Sequence, residues 1–421
     1  MENIETRKVD EIVFREDLYP RFNPDPPTIQ RYAEDIEVLP PILINQRNEL
    51  IDGYHRWTAH KKVKAEEIKV KVVETKSDRE VLELAIKTNA THGLQLSRDD
   101  KRNMALKLYT GDNKKELAKI LSVSERSISR WVEHIDKAKK EERDRKIFEM
   151  WMACYTQQEI AEATNTPQQT VAERLKVLPD LDKCPKSVKL KATYEDPDWE
   201  PPLYNIWTFA KNNNSTKHFG NTAVEIVDRL LYMFTKPFDI VVDPFGGGGS
   251  TIDICKERLR RYWVSDRLPV PERPDIRKHD IADGPPPLNG RWKDVALMYL
   301  DPPYWRQAEG QYSEDPEDLG NMPLDKFYDT LTTFISECAK KMRAGAHVAL
   351  IIQPTQWKSD NREYIDHVFD LVARTPKQLR YKQRIICPYS TEQYNAQQVN
   401  WAKENRQVLT LNRELIIWEV V

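Results

Sequence analysis

The 421-residue sequence contains no apolar run approaching the roughly 20 residues that a bilayer-crossing helix needs. Met1 to Arg15 is charged and carries no apolar stretch of the kind a signal peptide has, so a cytoplasmic protein is the expectation. The five cysteines, Cys154, Cys184, Cys255, Cys338 and Cys387, lie far apart and form no CxxC pair. That spacing argues against a zinc site and against a disulfide framework; the thiols are expected to be reduced, and no metal site is expected. A bias of charge is lacking too. With a formal net charge of -2 the whole-chain balance neither demands nor excludes a nucleic-acid partner, which only a local basic surface can signal. What is present is 39% hydrophobic and 31% charged residues, the composition of a well-folded chain, at a length that suits two or three domains.

The periodicity changes twice along the chain. In residues 1–95, Pro40 to Asn45 and Ile68 to Val73 read as strands, and Thr28 to Ile36 and Tyr54 to Lys62 as helices, which makes a small α+β domain. From 96 to 180 strand signals vanish. Lys115 to Ser124 followed by Ser127 to Trp131, and Gln157 to Asn165 followed by Gln169 to Arg174, each read as helix, short polar turn and second helix. A bundle hairpin gives the same pattern in a single copy, but two tandem copies favour DNA-binding helix-turn-helix motifs. The candidate DNA contacts are Ser124, Arg126, Ser127 and Arg130 in the first copy and Gln168, Gln169 and Arg174 in the second. Lys137 to Lys146 mixes both charge signs and reads as a solvated helix face. Five prolines between Leu178 and Pro202 mark 181–202 as a linker or irregular lead-in.

Residues 203–421 change period again. Ile240 to Val242, Tyr262 to Ser265, Val295 to Leu300 and His347 to Ile352 are apolar runs separated by helical segments, as in a parallel sheet covered on both faces. Gln407 to Leu411 and Glu414 to Val421 are expected to close it as a terminal antiparallel hairpin. The fold class is α/β, a Rossmann-like sheet behind an α+β domain and an all-α region.

Ligands of such sheets bind at the carboxyl ends of strands, so the residues after each strand carry the chemistry. Asp243-Pro-Phe-Gly-Gly-Gly-Gly-Ser-Thr251 is a glycine-rich turn that brings backbone close to a ligand; no Lys precedes Ser250 or Thr251, so a Walker loop is excluded. Asp266 follows about 20 residues later, where an acid accepts from ribose hydroxyls. Asp280 follows a third segment, and Asp301-Pro302-Pro303-Tyr304 the next strand.

In these motifs residues 203–421 resemble the DNA amino-methyltransferases, which methylate adenine N6 or cytosine N4 with S-adenosylmethionine. Lys217 to Leu230 resembles the family's cofactor-carboxylate segment, through His218, Phe219, Gly220 and Asn221. Asp243, Pro244, Phe245, Gly247, Gly249 and Thr251 fall in the part similar to the FxGxG loop. The resemblance further implies ribose and adenine contacts at Asp266 and Asp280, and a DPPY catalytic motif in Asp301, Pro302, Pro303 and Tyr304. The cofactor loop precedes the catalytic motif, an order found in only some classes. Physically, an aromatic amine is a poor nucleophile because its lone pair is delocalised. The Asp301 carboxylate and the Pro302 carbonyl suit two acceptors aimed at its hydrogens, with Tyr304 stacked on a base that has left the helix. Trp305 and Tyr312 stand where either base contacts or domain packing would place them. Asp rather than Ser before Pro-Pro-Tyr favours adenine, and the absence of a Pro-Cys nucleophile disfavours methylation at cytosine C5. RNA as substrate is disfavoured by the tandem helix-turn-helix pattern, which favours double-stranded DNA. The C-terminal region shows no large insertion for target recognition, so Asn113 to Trp131 and Thr156 to Leu175 are expected to read the site.

Residues 10–100 resemble the ParB/sulfiredoxin-like domain, whose GxxRxxA core is matched by Gly53, Arg56 and Ala59. A glycine turn before a helix that opens on His55 and Arg56 is a phosphate-site pattern. The resemblance implies CTP or ATP with Mg2+ at Gly53, His55, Arg56 and Asn89, but the chain departs from the ParB clamp residues and has Tyr54 where sulfiredoxins need cysteine. A module that only recognises DNA, or that pairs two copies as a homodimer through the N-terminal half, remains the alternative. So does a ParB-like partition regulator with a vestigial methyltransferase domain.

Overall fold

The computed structural model describes residues 4–20, 25–91, 96–209, 222–307, 315–356, 359, 362–389 and 394–421. The chain divides into two compact units, Met1–Glu142 and Arg143–Val421.

The first unit contains β1 (Ile4–Lys8), α1 (Pro26–Glu34), β2 (Ile42–Asn45), β3 (Leu50–Asp52), α2 (Tyr54–Lys62), β4 (Glu67–Val73), α3 (Asp78–Thr91), α4 (Arg98–Leu108), α5 (Lys114–Ile120) and the first part of α6 (Glu125–Met152). Its four strands pair in the order β1-β4-β2-β3, with β2 parallel to β4 and the other pairings antiparallel. Ile42, Ile44, Leu50, Trp57, Ile68 and Val70 form its core. Gly53 caps α2 with φ +102, and a Cβ there would stand 2.6 Å from the Ile42 side chain, so only glycine fits the turn. Ser97 caps α4 through a reciprocal capping box with Asp100. Helices α4, α5 and the start of α6 then pack through Met104, Leu108, Leu117, Leu121, Ile128 and Val132.

The second unit opens with α7 (Gln157–Thr164) and α8 (Gln168–Leu175), which bury Ile160 and Val171 against Ile147. Thr156 and Glu159 form a capping box at the start of α7, and Asn165 ends it in the left-handed conformation. Residues 181–202 are packed rather than free. They hold α9 (Lys186–Thr193), beyond which the Tyr194 hydroxyl and the Trp199 indole both donate to Asp228, itself paired with Arg258.

There follow α10 (Val224–Phe234), β5 (Ile240–Asp243), α11 (Ser250–Glu257), β6 (Arg261–Asp266), β7 (Arg277–Lys278), β8 (Val295–Leu300), α12 (Leu324–Ala339), β9 (His347–Ile352), α13 (His367–Ala373), β10 (Leu379–Pro388), α14 (Ala396–Glu404) and β11 (Asn412–Val420). The seven strands run in the order β10-β11-β9-β8-β5-β6-β7. Strands β5 to β9 pair in parallel, whereas β11 lies antiparallel between β9 and β10. Every residue of β5, β8 and β9 is buried, as two covered faces require. Val241, Leu297 and Ile351 pack with Ile226 and Leu230 of α10 on one face; Val242, Met298 and Leu350 pack with Phe327 and Leu331 of α12 on the other. This is a mixed α/β sheet with helices on both faces. The chain enters at β5, winds outward to β7 and returns to β8 beside β5, which creates a topological switch point there.

The terminal antiparallel pair is present, but its first strand is β10. Residues 407–411 lie in no strand. The charges of Leu379-Arg-Tyr-Lys-Gln-Arg384 hid an edge strand, whose outward side chains need no apolar character. As a result the connection from β10 to β11 is longer than expected and carries α14. Among the described residues, no helix is long and apolar enough to cross a membrane.

Candidate active site

A cavity of about 480 Å³ opens at the carboxyl ends of β5, β6 and β8, where the switch point places it. Its lining brings together Asp243, Phe245, Gly247, Asp266, Asp280 and the whole of Asp301 to Tyr304. Of the expected cofactor residues, His218, Phe219, Gly220 and Asn221 lie outside the described residues, as does Tyr312.

The glycine loop is built by backbone needs. Gly246 donates to the Ser265 carbonyl at 2.8 Å, and a Cβ on it would stand 2.6 Å from a Val264 methyl. Gly249 caps α11 at φ +85 beneath the Arg273 guanidinium, which donates to the Gly248 and Gly249 carbonyls and pairs with Asp253 and Asp275. Asp243, 2% exposed, accepts from the Thr251 hydroxyl at 2.6 Å and from the Phe245 amide at 2.9 Å. Its role is to fold the loop. Burial pushes its carboxyl up to about 7, against the pull of those two donors.

Asp266 ends β6 and accepts from the Gly247 and Leu268 amides at 3.0 and 2.9 Å, one on each oxygen. Each oxygen keeps a lone pair for a further donor. Asp280 caps the short turn Ile281–Asp283 and pairs with Arg267 at 3.0 Å. Arg267 also pairs with Asp315, which ties the segment after β8 to this end of the cavity.

At the other end stands Asp301. Its Oδ2 accepts from the hydroxyls of Thr222 and Tyr299, its Oδ1 from Tyr304 at 3.0 Å. Burial raises its carboxyl above the ordinary range, opposed by the Thr222 hydroxyl and by the nearby Arg413 cation. Arg413, at the start of β11 and only 5% exposed, donates through Nη1 to the Thr222 oxygen at 3.0 Å and lies over the Tyr389 ring. Its buried Nε has no partner. Burial acts to lower this guanidinium, but Tyr304, Tyr389, Asp301 and Tyr299 outweigh it and hold the cation. Tyr389 donates to Gln353 at 2.6 Å, completing a polar wall beside Asp301. Trp305 points the other way; it is buried, donates to the Met322 carbonyl and packs edge-on to His367.

Thr222, Tyr299, Arg273, Gln353, Tyr389 and Arg413 were not singled out from the sequence. Only Arg413 left a signal there, a lone cation at the edge of the apolar run Glu414 to Val421.

The N-terminal candidates are drawn into the first unit's own packing. Arg56 donates to the carbonyls of Pro40 and Pro41 and pairs with Asp52 at 2.7 Å, while His55 accepts the Asp25 amide and Asn89 is buried with its amide on the Ala85 carbonyl. In the helical pairs, Ser124, Arg126, Arg130, Gln168 and Gln169 are exposed. Ser127 donates its amide to the Ser124 hydroxyl. Arg174 is half-buried and paired with Asp144 at 2.6 Å.

The site is thus a ligand cavity of the open α/β type, with a glycine loop, two acids and the Asp301 to Tyr304 motif around it. Comparison with known proteins narrows the class. Residues 87–267 match the family model of DNA methylases, and residues 3–90 match that of the ParB N-terminal domain. The two matches adjoin, the ParB-type one at the N-terminus and the DNA methylase one after it. It is similar to the type II methyltransferase M.BamHI of Bacillus amyloliquefaciens, at 31% identity over 84 residues, which are 20% of this chain and 18% of that protein. Among solved structures, TrmN from Thermus thermophilus aligns at 13% identity with a TM-score of 0.30, over 48% of this chain and 50% of that one. A C-terminally truncated ParB from Caulobacter crescentus, complexed with CTP-gamma-S, aligns at 17% identity with a TM-score of 0.20, over 44% and 82%.

The titration of Asp243 gives a stability test. The folded chain keeps this proton up to about pH 7, whereas an unfolded aspartate releases it near the ordinary 3.8. The folded state therefore binds the extra proton in that window, and stability falls as pH rises through it. Asp243→Asn should remove that fall, so that its Tm relative to the wild type climbs between pH 3.8 and about 7 and then levels. A difference in Tm that does not change with pH would refute the assignment.

Proposed function

We propose that the chain transfers a methyl group from S-adenosylmethionine to the N6 amine of an adenine rotated out of double-stranded DNA, and that its N-terminal half holds the DNA. The observation that carries this reading is the Asp301 carboxylate, held by three hydroxyls beside Arg413 on the wall of a cavity whose other end presents Asp266 and Asp280.

The residues present fit the cofactor. A cavity of about 480 Å³ lies within the range of small-molecule sites. The close approach allowed by Gly247 and the free lone pairs on Asp266 suit a ribose, and Asp280 with Ile281 suits the adenine side. When bound, S-adenosylmethionine supplies an electrophilic sulfonium methyl. The protein's part is to orient the acceptor amine. Asp301 and the Pro302 carbonyl accept its two hydrogens, which localises the nitrogen lone pair toward the methyl. Asp301 serves only as an anion, so the donors around it act against the cost of its burial.

Labelled methyl from S-adenosylmethionine should enter duplex DNA, and base-resolved sequencing of DNA from cells expressing the protein should show N6-methyladenine at a defined site. N4-methylcytosine would keep the mechanism and correct the base. Asp301→Ala should abolish transfer while cofactor titration stays normal; Asp266→Ala should weaken cofactor binding. Transfer retained by Asp301→Ala would end this reading.

Removing the cation leaves Asp301 in its buried setting without support. Arg413→Met is expected to lower the transfer rate at least about ten-fold, the equivalent of one buried hydrogen-bonded charge lost. It should also move the acid limb of the pH–rate profile upward, and Arg413→Lys should restore part of both. An unmoved acid limb would leave Arg413 a purely structural role.

We extend the reading to CTP or ATP with Mg2+ at Gly53, His55, Arg56 and Asn89, and to the domain boundaries 1–95, 96–180, 181–202 and 203–421. Because Arg56 is already paired with Asp52, a phosphate has to displace that carboxylate. Calorimetry with either nucleotide should show binding that Arg56→Ala removes; absence of heat with both would close the question. Self-association through the N-terminal half belongs to the same proposal.

A further inference from the structure

Five arginines of the first unit are paired with acids. Arg7 pairs with Glu5, Arg15 with Asp17, Glu49 and Asp78, Arg47 with Glu49 and Asp78, Arg56 with Asp52, and Arg79 with Glu83. Arg98, Arg102, Arg126 and Arg130 depart from this pattern: all four are exposed, and none makes a hydrogen bond or ion pair with a described residue. They are not scattered. Arg98 and Arg102 lie four residues apart on one face of α4, and Arg126 and Arg130 four apart on one face of α6.

The two faces converge. Arg98, Arg102 and Arg130 line one cleft of about 310 Å³ with Trp131 and a single acid, Asp99. Three guanidinium groups around one carboxylate leave an excess of positive charge in the cleft, which an anionic ligand would relieve. Their fork of donors matches the oxygens of a phosphate. The cleft lies directly beside the second helix of the first helix-turn-helix pair. Chain passing along the exposed Ser124 to Arg130 face would run its backbone past α4.

We propose that Arg98 and Arg102 of α4, together with Arg130 of α6, form a phosphate clamp that grips the sugar-phosphate backbone of double-stranded DNA beside the helix-turn-helix. The clamp supplies affinity without sequence information, and the exposed polar residues at the start of α6 are left to read base edges. This rests on the reading that the chain binds DNA, but not on whether or where it methylates.

The test is a salt titration of binding to a random-sequence duplex, using the full chain and the Arg98→Gln/Arg102→Gln double variant. Each phosphate contact contributes about 0.9 to the slope of log K against log salt, so the variant should lose about 1.8 of that slope. Arg98→Lys/Arg102→Lys should keep most of it. Because both residues are exposed and without partners, the melting temperatures should match, which separates a lost contact from a lost fold. An unchanged slope, or a fall in affinity that does not depend on salt, would overturn the clamp. Inorganic phosphate at matched ionic strength should not compete; if it saturates the cleft, this is a small-anion site and the DNA assignment falls. Methyl transfer measured on the same samples keeps the two proposals apart: a wild type that binds with the steep slope but transfers no methyl sinks the proposed reaction and leaves the clamp standing.

Discussion

The proposed function depends on one carboxylate, Asp301, acting as an anion inside a wall of protein. Burial raises the Asp301 carboxyl and so favours its protonated form, and a protonated acid loses much of its capacity to accept the hydrogens of an amine. The fold answers with three hydroxyls and a guanidinium drawn from separate places: Thr222 before α10, Tyr299 within β8, Tyr304 just after it, and Arg413 on β11. Tyr299 and Arg413 are strand residues, and Thr222 and Tyr304 lie next to the ends of α10 and β8. The order of the sheet is thus the means by which the charge is held.

The same logic explains how the motifs can stand in this chain order. A site at a switch point is assembled from strand ends, and the chemistry requires only that β5 and β8 be neighbours. Which of them the chain visits first is immaterial to the cavity. The methylase match takes in the glycine loop and Asp266 and ends at residue 267, short of Asp301. Spatially the two halves still meet, because Asp243 and Asp301 end adjacent strands and line one cavity.

Much of this was legible in the sequence, and unevenly so for physical reasons. Buried parallel strands announce themselves as unbroken apolar runs; β8 and β9 fall on Val295–Leu300 and His347–Ile352, the two runs expected. Strand-end acids and glycines are equally visible, because turn geometry restricts which residues fit. The edge strand β10 was hidden by its charged outer face, and β7 by its length of two residues. Thr222, Gln353 and Tyr389 were hidden for a different reason. Their roles come from long-range neighbours, and no local period records that Thr222 will lie against a residue 191 positions away. Arg174 shows the converse, a residue placed by motif position on a contact face that instead turns inward to Asp144.

Strand β11 runs against its neighbours. In a sheet whose strands all ran one way, every residue at the cavity rim would follow a strand and so belong to a loop, with a loop's latitude of movement. A reversed strand begins at that rim. Arg413 is therefore a sheet residue, in register with Cys387 of β10 and next to Glu414, which faces Ile352 of β9. Its backbone is paired with β10, and that of its neighbour Glu414 with β9, before its side chain reaches toward Thr222. The cation is mounted on a paired strand, and Thr222 connects it to the carboxylate.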